Sequence, residues 1–101
     1  MKIKFKNDKF KKDRGGYSRL LDIFCENCRK HLFYYQKDGP GILKRIYVDR
    51  IYESEKLDPN KNLICPNCKS LLATPMIYEK ENRPAFRIFV GAITKKIVKS
   101  N

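Results

Sequence analysis

Apolar positions fall in short runs along the chain, and none continues at helical period. Leu20-Leu21-Asp22-Ile23-Phe24 and His31-Leu32-Phe33-Tyr34-Tyr35 read as a strand and its return. Asp38-Gly39-Pro40-Gly41 closes that unit as a turn, because glycine supplies positive φ and proline fixes its own. Ile42 to Tyr52 is rich in β-branched and aromatic residues and predicts a strand. Its alternation puts Ile46, Val48 and Tyr52 on one face and Tyr47, Asp49 and Ile51 on the other, unless a bulge or short helical turn intervenes. Glu53 to Asn62 is polar and carries Asp58-Pro59-Asn60, so it reads as a loop. Leu63-Ile64 and Leu71-Leu72-Ala73 repeat the first strand-and-return pattern on a smaller scale. Met76 to Glu79 and Ala85 to Val90 flank Asn82-Arg83-Pro84 as a hairpin, with Phe86, Ile88 and Val90 on one face and Arg87 and Phe89 on the other. Ala92-Ile93-Thr94 extends it. No long amphipathic helix is predicted, and the expected fold class is small and mostly β.

The breaks between these runs hold every cysteine. They form two hooks, Cys25-Glu26-Asn27-Cys28 and Cys65-Pro66-Asn67-Cys68, each with an apolar pair before it and a basic residue and apolar run after it. The chain therefore has a weak internal two-fold. Two thiolates on one tight turn can face a single ion, and two hooks complete the four-sulfur tetrahedron of a closed structural zinc site. The linker exceeds the roughly 15–20 residues of the commonest spacing, but it suits a hairpin or small sheet set between the hooks. Cys25, Cys28, Cys65 and Cys68 are the expected metal ligands. Three other readings stay open. Two disulfides would need an oxidising compartment, whereas the sequence shows no secretory signal, so a reducing compartment is expected. A thioredoxin-like redox pair would leave one hook unexplained and lacks its βαβ context. Iron could replace zinc, although nothing else in the sequence suggests electron transfer. His31, three residues past Cys28, is not expected as a ligand.

Cys65-Pro66-Asn67-Cys68-Lys69-Ser70-Leu71-Leu72 resembles a knuckle of the zinc-ribbon, or rubredoxin-like, group. The resemblance covers the two hooks and the residues after each, a minor part of the chain. Arg29 and Lys69 depart from it, standing where a glycine often relieves crowding in the left-handed region. Small basic members of the group occur among ribosomal proteins and transcription factors and subunits. The resemblance thus implies a metal-stapled ribbon with β-hairpins and a place in one of those assemblies.

Charge narrows the choice. The chain has 101 residues, enough for one domain, and a formal net charge of +12. A metal would supply much of what a modest core lacks. Half of the excess lies in residues 1–19, where eight cations meet only Asp8 and Asp13. That segment reads as a flexible basic N-terminal arm that orders on phosphates, with 20–101 as the metal-stapled β domain. A solubilising tail, or an edge strand through Ile3 and Phe5, are the plainer readings. So large an excess favours a polyanionic partner. No apolar run approaches the roughly 20 residues that span a bilayer, and the start lacks a signal peptide's apolar stretch, so a cytoplasmic setting without membrane is expected.

The candidate nucleic-acid contacts are Lys4, Lys6, Lys9, Lys11, Lys12, Arg14 and Arg19 in the arm, and Arg29, Lys30 and Lys69 beside the hooks, where they could equally stabilise a metal–thiolate charge. Lys44, Arg45, Tyr47 and Arg50 on the middle strand, and Arg83, Arg87, Lys95 and Lys96 near the C-terminus, complete the set. Tyrosines can stack on bases while cations track phosphates. Phe33, Phe86 and Phe89 are expected in the core instead. Catalysis is not expected, because four thiolates leave a zinc no open position and no nucleophile–base pair or phosphate loop is present. The expected function is zinc-dependent binding of ribosomal or other structured RNA, with protein subunits of the same assembly as further partners. A protein-interaction adaptor in a transcription or other complex is the alternative, and a rubredoxin-like redox or metal-handling protein the third.

Overall fold

Residues 3–54 and 57–98 are described by the computed structural model. In chain order the elements are α1 (Lys9–Asp13), β1 (Ser18–Cys25), β2 (His31–Asp38), β3 (Arg45–Tyr47), a 3-10 turn (Val48–Arg50), β4 (Ile51–Tyr52), β5 (Leu63–Ile64), β6 (Leu71–Tyr78), β7 (Arg83–Ile88) and β8 (Ile93–Ile97). The strands make two four-stranded sheets, ordered β4-β2-β1-β8 and β3-β7-β6-β5, and every pairing is antiparallel. The protein is thus small and mostly β. Among the described residues no helix is long and apolar enough to cross a membrane.

One core joins the two sheets. Leu21, Ile23, Phe33 and Tyr35 enter it from the first, and Ile46, Leu63, Leu72, Ala73 and Phe86 from the second. Alternate residues of β1 point inward, as period-two strands require. Cys25 and Cys65 sit within this core at 0% exposure, so the hooks close its end.

The stretch from Ile42 to Tyr52 contains the short helical turn that the sequence left open, in place of one unbroken strand. The 3-10 turn divides it, and the chain changes sheet there, from β3 in the second to β4 in the first. Before the turn, the neighbours Ile46 and Tyr47 lie on opposite faces of β3 and both are buried, Ile46 in the core and Tyr47 under the Arg83 guanidinium. The hairpin turn also lies earlier than expected, between Tyr78 and Arg83, which makes Arg83 the first residue of β7. Phe33 and Phe86 are core residues, but Phe89, expected beside them, is 42% exposed in the turn after β7.

At the N-terminus, β1 begins at Ser18, inside the segment assigned to the arm. Residues 3–7 form no strand, yet the buried Gln36 grips their backbone at two points. Its Oε1 accepts from Lys6 N at 2.8 Å, and its Nε2 donates to Lys6 O at 3.0 Å. Asp8 caps α1 by accepting from Lys11 N at 3.1 Å.

Candidate metal centre

Each hook occupies the turn of a hairpin, the first between β1 and β2 and the second between β5 and β6. Equivalent positions lie 40 residues apart, Cys25 matching Cys65, and the correspondence extends into the strands. Ile23 pairs with Phe33 and Phe24 with His31, leaving Leu32 bulged; Leu63 pairs with Ala73 and Ile64 with Leu71, leaving Leu72 bulged. Arg29 N donates to Cys25 O at 2.8 Å, and Lys69 N to Cys65 O at 3.0 Å. Arg29 and Lys69 have φ of 67° and 66°. These are the two positions where a glycine is commoner. A side chain held there costs about 1–2 kcal/mol, so something in the assembled site offsets the strain.

The two hairpins bring their hooks together. All four sulfurs lie within 4.8 Å of one another. Across the hooks, Cys25 Sγ is 3.6 Å from Cys68 Sγ, and Cys28 Sγ is 3.6 Å from Cys65 Sγ. A sulfur–sulfur bond is about 2.05 Å, and all four cysteines are free. Four sulfurs each about 2.3 Å from a central zinc would be about 3.8 Å apart. The cluster has that size, so these four cysteines can hold one metal ion.

The surroundings favour thiolates on one side of the cluster. The Asn27 side chain and the Ser70 hydroxyl, 3.0 Å away, hold the Cys68 thiol down at about 5. Asn67 does the same in kind for Cys28, whose pKa is lowered. Each hook's asparagine therefore serves the second cysteine of the other hook. Burial pushes Cys25 up to about 11. A buried sulfur that resists ionisation in isolation is one that a metal ion would have to deprotonate. His31 is turned away to Asp22, with Nε2 2.8 Å from Oδ1, and is no part of the cluster.

The expected nucleic-acid contacts fall into two sets. Three of them are interior. Arg50 is 1% exposed, with Nε donating to Asp38 Oδ2 at 3.0 Å and Nη2 to Asp8 Oδ1 at 2.7 Å. Arg83 is 3% exposed, bonded to Asp49 at 2.7 Å and Glu81 at 3.0 Å. Tyr47 is 8% exposed, with the Arg83 guanidinium 3.8 Å from its ring centroid. Arg14, half-buried, joins the same cluster through Glu81 at 2.9 Å and Tyr47 at 3.1 Å. These side chains tie β2, β7 and the N-terminal segment together, and Arg50, Arg83 and Tyr47 are enclosed.

The others lie outside. Lys4, Lys6, Lys9, Lys12, Arg19, Arg29, Lys30, Lys44, Lys69, Arg87, Lys95 and Lys96 are exposed, with Lys11 and Arg45 half-exposed. Several have local partners: Lys6 on the Asp49 carbonyl, Lys11 on Asn7, Arg29 on Glu26, Lys69 on the Pro66 carbonyl. Strand pairing also sets like charges opposite one another at two places. Arg19 stands opposite Lys37, and Arg45 opposite Arg87. A groove of about 450 Å³ gathers Arg14, Lys37, Lys44 and Arg45 with Asp13 and Asp38, and a neighbouring one adds Lys80 and Arg87 with Glu79. Lys37 was missed by the sequence reading, although it continues the Phe33–Tyr35 face of β2 past the core. Burial lowers its pKa and the charge of Arg19 lowers it further, with Asp38 pulling the other way and Lys95 and Arg14 adding smaller lowering effects.

Comparison with known protein families, curated proteins and solved structures gives no match for this chain.

Proposed function

We propose that this is a zinc-stapled protein with ribbon-type knuckles that binds structured RNA, as a component of or factor on a ribonucleoprotein. Zinc held by Cys25, Cys28, Cys65 and Cys68 would supply structural closure, since four thiolates leave no position for a substrate. The observation that carries the RNA reading is the pair of like-charged rungs, Arg19 opposite Lys37 and Arg45 opposite Arg87. Like charges directly across a sheet destabilise it. A polyanion laid over both rungs removes that repulsion, and Lys44, which lines the grooves beside them, bridges the gap.

The test is titration of the metal-loaded protein with structured RNA over a salt series. Each phosphate contact contributes about 0.7–0.9 to the log–log slope, so Lys37→Gln and Arg87→Gln should each flatten it by about that amount. Absence of RNA affinity at low ionic strength would sink the reading. One feature favours a protein partner as the second reading. Ile64 and Leu71 pair across β5 and β6 beside the second hook, each 48% exposed. If RNA does not bind, this apolar rung marks where a protein would dock.

A further inference from the structure

The turn between β7 and β8 has an apolar tip that folding does not explain. Phe89 is 42% exposed, Val90 is fully exposed, and Ile42, which lines the same groove, is 79% exposed. Ala92 N donates to Phe89 O at 3.1 Å, and Gly91, third in the turn, has φ of 73°. That conformation calls for glycine at its third position, but it places no demand for phenylalanine or valine at the first two. Large apolar side chains at a turn tip, rather than polar ones, point to a contact made outside the chain.

The turn is also fixed from both sides. Phe89 N donates to Leu72 O at 3.0 Å, on the bulge after the second hook. Glu26 N, inside the first hook, donates to Ala92 O at 3.0 Å, and Ile93 pairs with Cys25. The Phe89 ring is therefore carried on a segment strung between the two hairpins that hold the metal ligands. A groove of about 660 Å³ runs beside it, within the range of ligand sites. Leu43, Ile88 and Ile93 contribute apolar walls, Lys44, Arg87 and Lys95 contribute cations, and no carboxylate is among the described lining residues.

We propose that this groove takes an unpaired base of single-stranded RNA, stacked on Phe89, with Lys44, Arg87 and Lys95 on the flanking phosphates. The inference rests on the RNA reading above and narrows it to single-stranded or looped segments. Apolar faces bounded by anionic groups on both sides are what an unstacked nucleotide offers, whereas a duplex keeps its base faces covered. An anionic bilayer also combines the two chemistries. However, the cations here border a concavity, which fits a base with its two phosphates better than a flat surface.

The experiment uses the full metal-loaded chain with three probes. These are an oligouridylate of about ten nucleotides carrying one fluorescent 2-aminopurine, an RNA duplex of equal length, and vesicles containing phosphatidylserine. Phe89→Ala should weaken the single strand about 5- to 150-fold, abolish quenching of the 2-aminopurine, and leave the salt slope and duplex binding unchanged. Phe89→Leu, which keeps apolar bulk without a ring, should behave as Phe89→Ala, and Phe89→Tyr should behave as the parent. Circular dichroism confirms that each variant is folded. Single-strand binding that is equal in Phe89→Ala and the parent overturns the proposal, as does full activity of Phe89→Leu. A Phe89 effect confined to vesicles overturns it in favour of a membrane. If RNA binds with its salt slope while Phe89 is inert, only this inference fails. If no RNA binds at low salt, the RNA reading fails with it.

Discussion

Replacing Arg50 by methionine separates a packing role from an electrostatic one. The methionine fills much of the aliphatic volume, so the cavity left is small. What disappears is the guanidinium, which bonds Asp38 at 3.0 Å and Asp8 at 2.7 Å and stands 3.7 Å from Asp49. Asp38 then keeps Ser18 and Gln36 as donors at 2.6 and 2.9 Å, but no cation, with its side chain only 5% exposed. Removing one partner of a buried ion pair costs about 3–5 kcal/mol, a large share of the roughly 5–15 kcal/mol that holds a domain together. At about 4–8 °C per kcal/mol for a chain of this size, Tm should fall by at least about 12 °C in thermal unfolding with metal in excess. Adding Asp38→Asn removes the stranded charge, and the double variant should be more stable than Arg50→Met alone. A fall of less than about 4 °C, or about 1 kcal/mol, would refute the reasoning. It would mean that water solvates Asp38 as well as Arg50 does.

Two further outcomes are expected. Metal analysis of the reduced, folded protein should find one zinc per chain. Cys65→Ser should abolish cooperative unfolding, since structural zinc contributes about 10–16 kcal/mol in small peptides; a folded, metal-free protein would contradict this. Stability should fall as the solution is acidified below about pH 4. Burial raises the pKa of Asp8 and Glu81, but the bonds from Arg50 to Asp8, and from Arg14 and Arg83 to Glu81, outweigh it and leave both below the ordinary range. A carboxyl more acidic in the folded state stabilises above its unfolded pKa, and that contribution is lost as pH drops through the folded value. Asp8→Asn should shallow the acid limb of a Tm-against-pH curve, and an unchanged limb would remove Asp8 from the account.

The two cysteine hooks and most strands were legible because each is written locally. A C-x-x-C turn needs only four consecutive residues, and the strands flanking it declare themselves by alternation. The left-handed residues at Arg29 and Lys69 were foreshadowed the same way, by a departure from glycine. What could not be read were relations set by tertiary structure. Arg50 looked like a surface cation because it alternates with apolar residues in a stretch read as one strand with an exposed face. Its partners Asp8 and Asp38 are 42 and 12 residues away, reached only after the 3-10 turn carries the chain between sheets. Phe89 looked like core because its run is apolar, but it lies just past the end of β7. Gly39 was seen as a turn residue. Its second constraint, an added Cβ 2.2 Å from the Arg14 carbonyl oxygen, comes from the N-terminal segment.

Formal charge understates how basic the outer surface is. Arg14, Arg50 and Arg83 are engaged with Asp8, Asp38, Asp49 and Glu81, three cations with four carboxylates. That cluster carries −1, so the rest of the chain carries +13 toward the formal +12. Acids engaged with arginines are less available to the rungs, although Asp38 still offsets part of the repulsion at Lys37. Salt does so poorly, because directly opposed residues on a sheet lie closer than the roughly 8 Å screening length at physiological ionic strength. Lys37→Glu should therefore separate stability from function. It turns the Arg19 rung from repulsive to attractive, and an opposite-charge pair contributes about 0.2–1 kcal/mol where a like pair subtracts a similar amount. The loss of the Lys37 Nζ bond to Gly39 O at 3.0 Å works against this gain, but it is a bond at a half-exposed site. Tm should rise by a few degrees, while affinity for RNA falls by more than in Lys37→Gln, because a repelling charge replaces a neutral one. Thermal unfolding and the salt-series titration read the two effects independently. A lower Tm in Lys37→Glu would show that the rung is not under repulsive strain, and the main physical reason for expecting an anion there would be gone.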